Sequence, residues 1–294
     1  MDKAVVRELI DAGIHFGHRV GRWNPKMKPY IFCTRNSIHI IDIKESIKGL
    51  MRAQKFLASV VASGKDILFV GTKRQARQPV LDQSARCGMP YVSERWLGGT
   101  LTNFTTIRKR LGRLEELESM NDKGMMAAQS KKMESTLRRE MRKIQRNLNG
   151  IRNMDKMPGA LVIIDSRREH LAIAEARILK IPTICLLDTD SDPDTVDIPI
   201  PGNDDAMRTI EIVLSELADA VLKGKSAHLE RSKAAEEQTE RPKSRRVSIS
   251  QAAETLTQPV SAPAVSSPEN NDNIPTVTDP APPASAQEKQ EPSQ

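Results

Sequence analysis

Four largely apolar runs constrain this chain more than any other feature: Ile38-His39-Ile40-Ile41-Asp42-Ile43, Asp66-Ile67-Leu68-Phe69-Val70, Ala160-Leu161-Val162-Ile163-Ile164-Asp165 and Thr183-Ile184-Cys185-Leu186-Leu187. Strands apolar on both faces lie in sheets covered on both sides, which is the habit of parallel strands joined by helices. Helical spacing fills the intervals, at about residues 44–62, 77–87, 169–179 and 203–223, and Tyr91-Val92-Ser93 supplies one more short strand. The pattern predicts an α/β fold, a doubly wound parallel sheet.

The alternation is interrupted once. Arg95-Trp96-Leu97-Gly98-Gly99-Thr100-Leu101-Thr102-Asn103 closes its first half, and strand spacing resumes only at Gly159. Trp96 and Leu97 suit an apolar anchor, the glycines permit backbone angles closed to other residues, and Thr102 or Asn103 suits a helix N-cap. Beyond it, Ile107, Leu111, Leu114 and Leu117 step by three and four, as do Leu137, Met141, Ile144, Leu148 and Ile151. Asn121-Asp122-Lys123-Gly124 parts the two series, so the interval predicts an antiparallel coiled-coil hairpin. The chain therefore divides into residues 1–103 (an N-terminal arm and the first half of the α/β domain), an inserted hairpin at 104–158, the second half at 159–225 and a tail at 226–294. The tail holds nine of the eighteen prolines, lacks aromatic residues and is expected to be disordered.

Charge points to a polyanionic partner. Of 45 Lys/Arg and 38 Asp/Glu, only seven bases accompany ten acids from Ser226 onward, which leaves +10 on the first 225 residues. Residues 104–156 carry fourteen bases against seven acids. The segment 13–30, too rich in Gly and Pro for regular structure, interleaves Arg19, Arg22, Lys26 and Lys28 with Phe16, Trp23 and Tyr30. Cations contact phosphates and aromatic rings stack on bases, so both arrangements suit RNA. The other candidate cations are Lys73, Arg74 and Arg77 at the sheet edge, Arg95 in the interrupting loop, and Arg108, Lys109 and Arg110 opening the hairpin. Cys33, Cys87 and Cys185 are too few and too scattered for a disulfide framework or a thiolate zinc site. No apolar run approaches the roughly 18 residues that span a bilayer, so a cytoplasmic protein is expected.

Catalytic motifs are incomplete. Gly71-Thr72-Lys73 follows a strand and opens a helix, yet Leu68 stands where a phosphate-binding loop needs its first glycine, and the dinucleotide fingerprint fails as well. A helix N-terminus flanked by Lys73, Arg74 and Arg77 still suits a phosphate, above all one on an RNA backbone. An enzyme reading would place a nucleotide near Gly71 and Asp165-Ser166. His15 and His18 could meet Asp188, Asp190, Asp192 and Asp194 around a divalent metal, although turn formation accounts for the same aspartates. No cofactor is expected.

Larger blocks carry a resemblance. His15-Phe16-Gly17-His18, Trp23-Asn24-Pro25-Lys26-Met27, Arg35-Asn36-Ser37-Ile38-His39, Val70-Gly71-Thr72-Lys73-Arg74-Gln75-Ala76, the loop 95–103 and Pro201-Gly202-Asn203-Asp204-Asp205-Ala206 stand in the order and spacing of bacterial small-subunit ribosomal protein two, and the chain resembles that family over residues 5–223. The resemblance implies a flavodoxin-like sheet interrupted by a coiled-coil hairpin, and a structural role without catalysis. It also implies contact with small-subunit rRNA and other small-subunit proteins, late assembly, and docking of the mRNA-recruiting protein one. No membrane partner or obligate homo-oligomer is expected. A protein-only adaptor, gripping its partner with the hairpin, is the third class.

Overall fold

The computed structural model describes residues 3–125 and 130–239. Among these, β4 (Ile67–Val70), β5 (Tyr91–Val92), β6 (Ala160–Ile164), β7 (Thr183–Leu187) and β8 (Ile198–Pro201) form a parallel sheet in the order β5-β4-β6-β7-β8. The chain runs outward from β4 to β5, returns past β4 to β6 and continues to β8, which is the flavodoxin-like winding. Alternation within each strand divides the core. Phe69, Val162, Ile164, Ile184 and Leu186 share an apolar cluster with α1 (Lys3–Asp11), α2 (Ile43–Ala62), α3 (Arg77–Cys87) and α7 (Met207–Thr239). Leu68, Val70, Leu161, Ile163, Cys185 and Leu187 face the other way, toward α6 (His170–Ile178) and the hairpin.

Three elements depart from the sequence expectation. The Ile38 run is not a strand of the parallel sheet. It is β3 (Ile38–Ile41), the centre of a separate antiparallel sheet between β1 (Phe16–Arg19) and β2 (Ile31–Arg35). Asn36 and Ser37, at φ +50° and +59°, make the tight reversal that pairs β2 with β3. The segment 13–30 is accordingly more regular than its glycines and prolines suggest. It holds β1 and a 3-10 turn at Pro25–Tyr30, capped by the Asn24 side chain, which accepts from the Lys26 amide at 3.0 Å. β8 was hidden by Pro199 and Pro201, but an edge strand pairs on one side only and tolerates missing amides.

The final helix also exceeds its expected end near Lys223. Asn203 Oδ1 accepts from the Asp205 and Ala206 amides at 2.9 and 3.2 Å, and α7 then runs to Thr239. The helix thus takes in the start of the segment expected to be disordered. Residues 240–294 of that tail lie outside the described residues.

The hairpin consists of α4 (Phe104–Asp122) and α5 (Lys131–Leu148). Leu111, Leu114 and Leu117 of α4 are buried with Leu137, Ile144 and Leu148 of α5, the seam expected from their spacing. That seam is continuous with the sheet face, because Val70, Leu161 and Ile163 belong to the same apolar cluster. The hairpin base is tied by Arg108, whose guanidinium donates to the Arg152 carbonyl at 3.0 Å and to Asp155 Oδ1 at 2.6 Å.

Gly150, just after α5, sets how closely this base approaches the edge strand. A Cβ there would lie 2.2 Å from the Tyr91 carbonyl oxygen and 2.7 Å from its ring. Backbone cannot yield as a flexible side chain would. Gly150→Ala is therefore expected to destabilise the folded chain by about 1–3 kcal/mol, seen as a lower urea midpoint at unchanged slope. An unchanged midpoint would show that this contact relaxes freely.

Candidate nucleic-acid interface

The loop between sheet and hairpin is held from below by one carboxylate. Glu175, buried on α6, accepts at Oε1 from the Trp96 indole (3.0 Å) and the Gly99 amide (2.8 Å). Its Oε2 accepts from the Leu101 amide (2.9 Å), the Thr102 amide (3.0 Å) and the Thr102 hydroxyl (3.1 Å). Burial works against the charge, but these donors outweigh it and hold the carboxyl below its usual range. Gly99 adopts φ +86°, which a side chain would disfavour, whereas nothing crowds Gly98. The capping expectation is only half met. Asn103 stands at the N-cap of α4, but its Oδ1 accepts from the Thr106 hydroxyl at 2.7 Å instead of from a backbone amide.

The Gly71 turn is not an open phosphate cradle. The Thr72 amide donates to Glu169 Oε1 at 3.0 Å, and the Thr72 hydroxyl donates to the same oxygen. Glu169 is buried, which raises its pKa against the opposing pull of those hydrogen bonds. An internal carboxylate thus sits where a phosphate oxygen would bind. Gly71 is explained by packing, since a Cβ there would come within 2.9 Å of Val80.

Lys73 is withdrawn from the surface as well. Its ammonium lies 2.7 Å from Asp204 Oδ1 and 2.6 Å from Asp205 Oδ1, with the side chain only 12% exposed. Burial opposes its charge, yet the two aspartates prevail and raise its pKa. On the adjoining side His18 Nδ1 meets Asp188 Oδ2 at 2.7 Å, and Nε2 stands 3.7 Å from Asp205 Oδ2. His18, Asp188, Asp204 and Asp205 present ligand atoms within 4.8 Å of one another, a donor set that could hold a divalent cation. Of the sequence candidates, His18 and Asp188 belong to this cluster. Asp190 pairs instead with Arg167 at 2.9 Å, and His15 lies against Phe16 with its Nδ1 buried and unpartnered among the described residues. Asp204 and Asp205 escaped the sequence reading because their distance along the chain from His18 gave no spacing signal.

The remaining candidates sort by pairing. Lys26 bridges Asp192 and Asp194 at 2.8 and 2.9 Å, Arg77 meets Glu94 at 3.2 Å, and Arg108 ties the hairpin base. Arg19, Arg22, Lys28, Arg74, Arg95, Lys109 and Arg110 are exposed and form no ion pair among the described residues. Arg22 and the partly exposed Trp23 line a cleft of about 1140 Å³ together with Arg167, His170 and Arg177. Trp23 already packs against His39, ring centroids 5.1 Å apart, and Tyr30 is half-buried. Among the described residues no helix is long and apolar enough to cross a membrane.

A family model described as Ribosomal protein S2 matches residues 9–224 of this chain. The chain belongs to the ribosomal protein S2 family. A relative named small ribosomal subunit protein uS2, from Rhodopirellula baltica, is 58% identical over 225 residues, covering 76% of this chain and 86% of its own. Proteins of the same name from Mycobacteroides abscessus and Acidothermus cellulolyticus are 49% and 50% identical, each covered over 82% of its length. The family match spans the parallel sheet, the hairpin and every cation considered above, and it stops short of the tail.

Two outcomes follow for the buried charges of this S2-family chain. Glu175→Gln keeps the size of the side chain but sets an amide N–H₂ against loop donors. The expected loss is about 3 kcal/mol of unfolding free energy. Because the Glu175 pKa is lowered, its contribution is present above the unfolded-state value near 4.5 and is lost as pH falls below it. A Glu175→Gln chain that melts with the wild type would dismiss the loop anchor. His18 behaves oppositely. The hydrogen bond to Asp188 outweighs burial and raises its pKa to about 9, so its stabilisation is complete below about 6.5 and is lost as pH rises through 9. In metal-free protein its imidazole resonances should titrate near pH 9, and Asp188→Asn should bring them back toward 6.5. Titration near 6.5 in the wild type would show that the pair does not form in solution.

Proposed function

We propose that this chain is a structural constituent of the small ribosomal subunit in the cytoplasm and binds small-subunit rRNA without catalysing a reaction. Membership of the ribosomal protein S2 family carries this reading, and the relatives' names supply the subunit. Contact is made with phosphates by Arg19, Arg22 and Lys28 of the N-terminal arm, Arg74 at the sheet edge, Arg95 in the loop before the hairpin, and Lys109 and Arg110 at the start of the hairpin. Their exposure and lack of internal partners support this choice over Lys26, Lys73, Arg77 and Arg108. Trp23, at the mouth of the Arg22 cleft, offers a stacking face. The hairpin at 104–158 acts as an inserted unit that widens this surface. The chain joins other small-subunit proteins at a late stage and helps dock protein one, which recruits mRNA; it is not an obligate homo-oligomer.

Phosphate contacts make binding salt-dependent. With about six phosphates neutralised, affinity for rRNA is expected to fall about a thousandfold between 50 and 200 mM salt, by analogy with duplex DNA. Sedimentation of a lysate through sucrose at both salts tests this, with immunodetection of the chain across the gradient. Co-migration with small subunits that weakens at high salt supports the reading. The chain remaining at the top of the gradient at low salt would end it.

A further inference from the structure

The outward face of α5 carries a second, longer row of cations than the hairpin start. Arg139, Arg142, Lys143 and Arg146 are exposed and make no ion pair among the described residues. Their spacing of three, four and seven places them along one helix face. At 100° per residue that face lies opposite the buried seam of Leu137, Ile144 and Leu148. The row therefore contributes nothing to closing the hairpin. It covers about 10 Å of helix axis, enough to follow the backbone of a few nucleotides.

At the foot of this row, where α5 meets the end of β5, lies a recess of about 320 Å³. Arg142 and Arg146 stand at its rim, and Ser93, Glu94, Gln145 and Asn149 line it. Its size is at the low end for a small-molecule or cofactor pocket. Its chemistry is polar and unspent. The Ser93 hydroxyl and the exposed side-chain amides of Gln145 and Asn149 make no hydrogen bond to another protein group among the described residues. Glu94 pairs with Arg77, 3.2 Å away, and still has carboxylate lone pairs open to a further donor.

Hydroxyl, amide and carboxylate groups side by side are the set that reads base edges, and a row of cations alongside them holds the flanking phosphates. We infer that this recess takes one unpaired nucleotide of the bound RNA, with Arg139, Arg142, Lys143 and Arg146 on the neighbouring backbone. Glu94 favours a base with an exocyclic amino group over uracil, whose Watson–Crick edge offers only the N3–H donor. The inference rests on the rRNA-binding reading and adds to it a base-specific contact at the junction of hairpin and sheet. A neutral polar recess without the adjoining cations would suit a peptide equally. The unpaired row tips the choice to nucleic acid.

The test uses small subunits purified from cells whose only copy of the chain is wild type, Gln145→Ala/Asn149→Ala or Arg139→Gln/Arg142→Gln/Arg146→Gln. All five substituted side chains are exposed, so neither variant is expected to disturb the fold. Base-specific chemical probing of the rRNA should reveal one unpaired A, G or C protected in wild-type subunits and reactive in the amide variant. The amide variant should leave subunits about tenfold more readily, with an unchanged salt slope. The triple-cation variant should lower that slope by about three. Wild-type chain absent from small subunits would overturn the parent reading. Wild-type chain present, with identical base reactivity in all three preparations or a protected uracil, would overturn this one alone. A protein cross-link at the recess without any RNA footprint would overturn it too.

Discussion

Glu175 projects from α6 into the loop that leaves the parallel sheet for the hairpin, and five donors of that loop converge on its two oxygens. The arrangement solves a problem created by the topology. A loop that exits a sheet, starts a long helix and later hands the chain back to β6 must hold its direction without strand pairing of its own. Amides turned toward the core would be costly there if left unpaired. One ionised carboxylate satisfies them together, and hydrogen bonds to a charged acceptor are the stronger kind. The indole of Trp96 joins the same acceptor while its ring lies in the apolar cluster shared by sheet and hairpin. The orientation of α4, and of the cationic surface it begins, thus depends on a residue more than seventy positions further along the chain.

The same device recurs at the carboxyl edge of the sheet, with a different consequence. A doubly wound sheet offers a ligand crevice where strand order reverses, between β4 and β6. Here that crevice is filled from within. Glu169 takes the Thr72 donors, and Asp204 and Asp205 hold Lys73. Asp204 shows the tension of this solution. Burial and the nearby Asp165 raise its pKa to about 7 although Lys73 pulls the other way. A carboxylate so placed favours a cation beside it and opposes an anionic ligand. The crevice that would serve a nucleotide enzyme is therefore closed to phosphate, while Arg74 beside it stays exposed.

The parallel strands were legible because they are buried on both faces, and continuous apolar runs such as 160–164 and 183–187 leave little choice. The hairpin seam was legible from its three–four spacing. What escaped has a common cause. β8 is an edge strand, where Pro199 and Pro201 are permitted, and local composition argued against it. The Ile38 run looked like a parallel strand because its apolar pattern does not encode its partners. The turn at Asn36-Ser37, which does, carries no glycine. At the candidate interface, exposure could be guessed but pairing could not. Lys73 and Arg74 are neighbours in sequence; one is locked between aspartates and the other is free in solvent. Only contacts spanning more than a hundred residues distinguish them.

A cation with an internal partner has already exchanged water for a carboxylate, and moving it to a phosphate would leave that carboxylate uncompensated. The cost is large where the carboxylate is buried, as at Asp204, and small where it is solvated, as at Asp194 beside Lys26. Basic residues therefore form a graded series and not a single patch. Arg108 and Lys73 hold the fold, Lys26 and Arg77 sit in partly exposed pairs that a phosphate could compete for, and the unpaired cations of the arm, the loop and the hairpin are available without rearrangement. A net charge of +10 on the first 225 residues overstates the positive surface on offer. What counts is the subset whose neighbours in the fold have left them unpaired, and on the hairpin that subset lies on the side turned away from its own core.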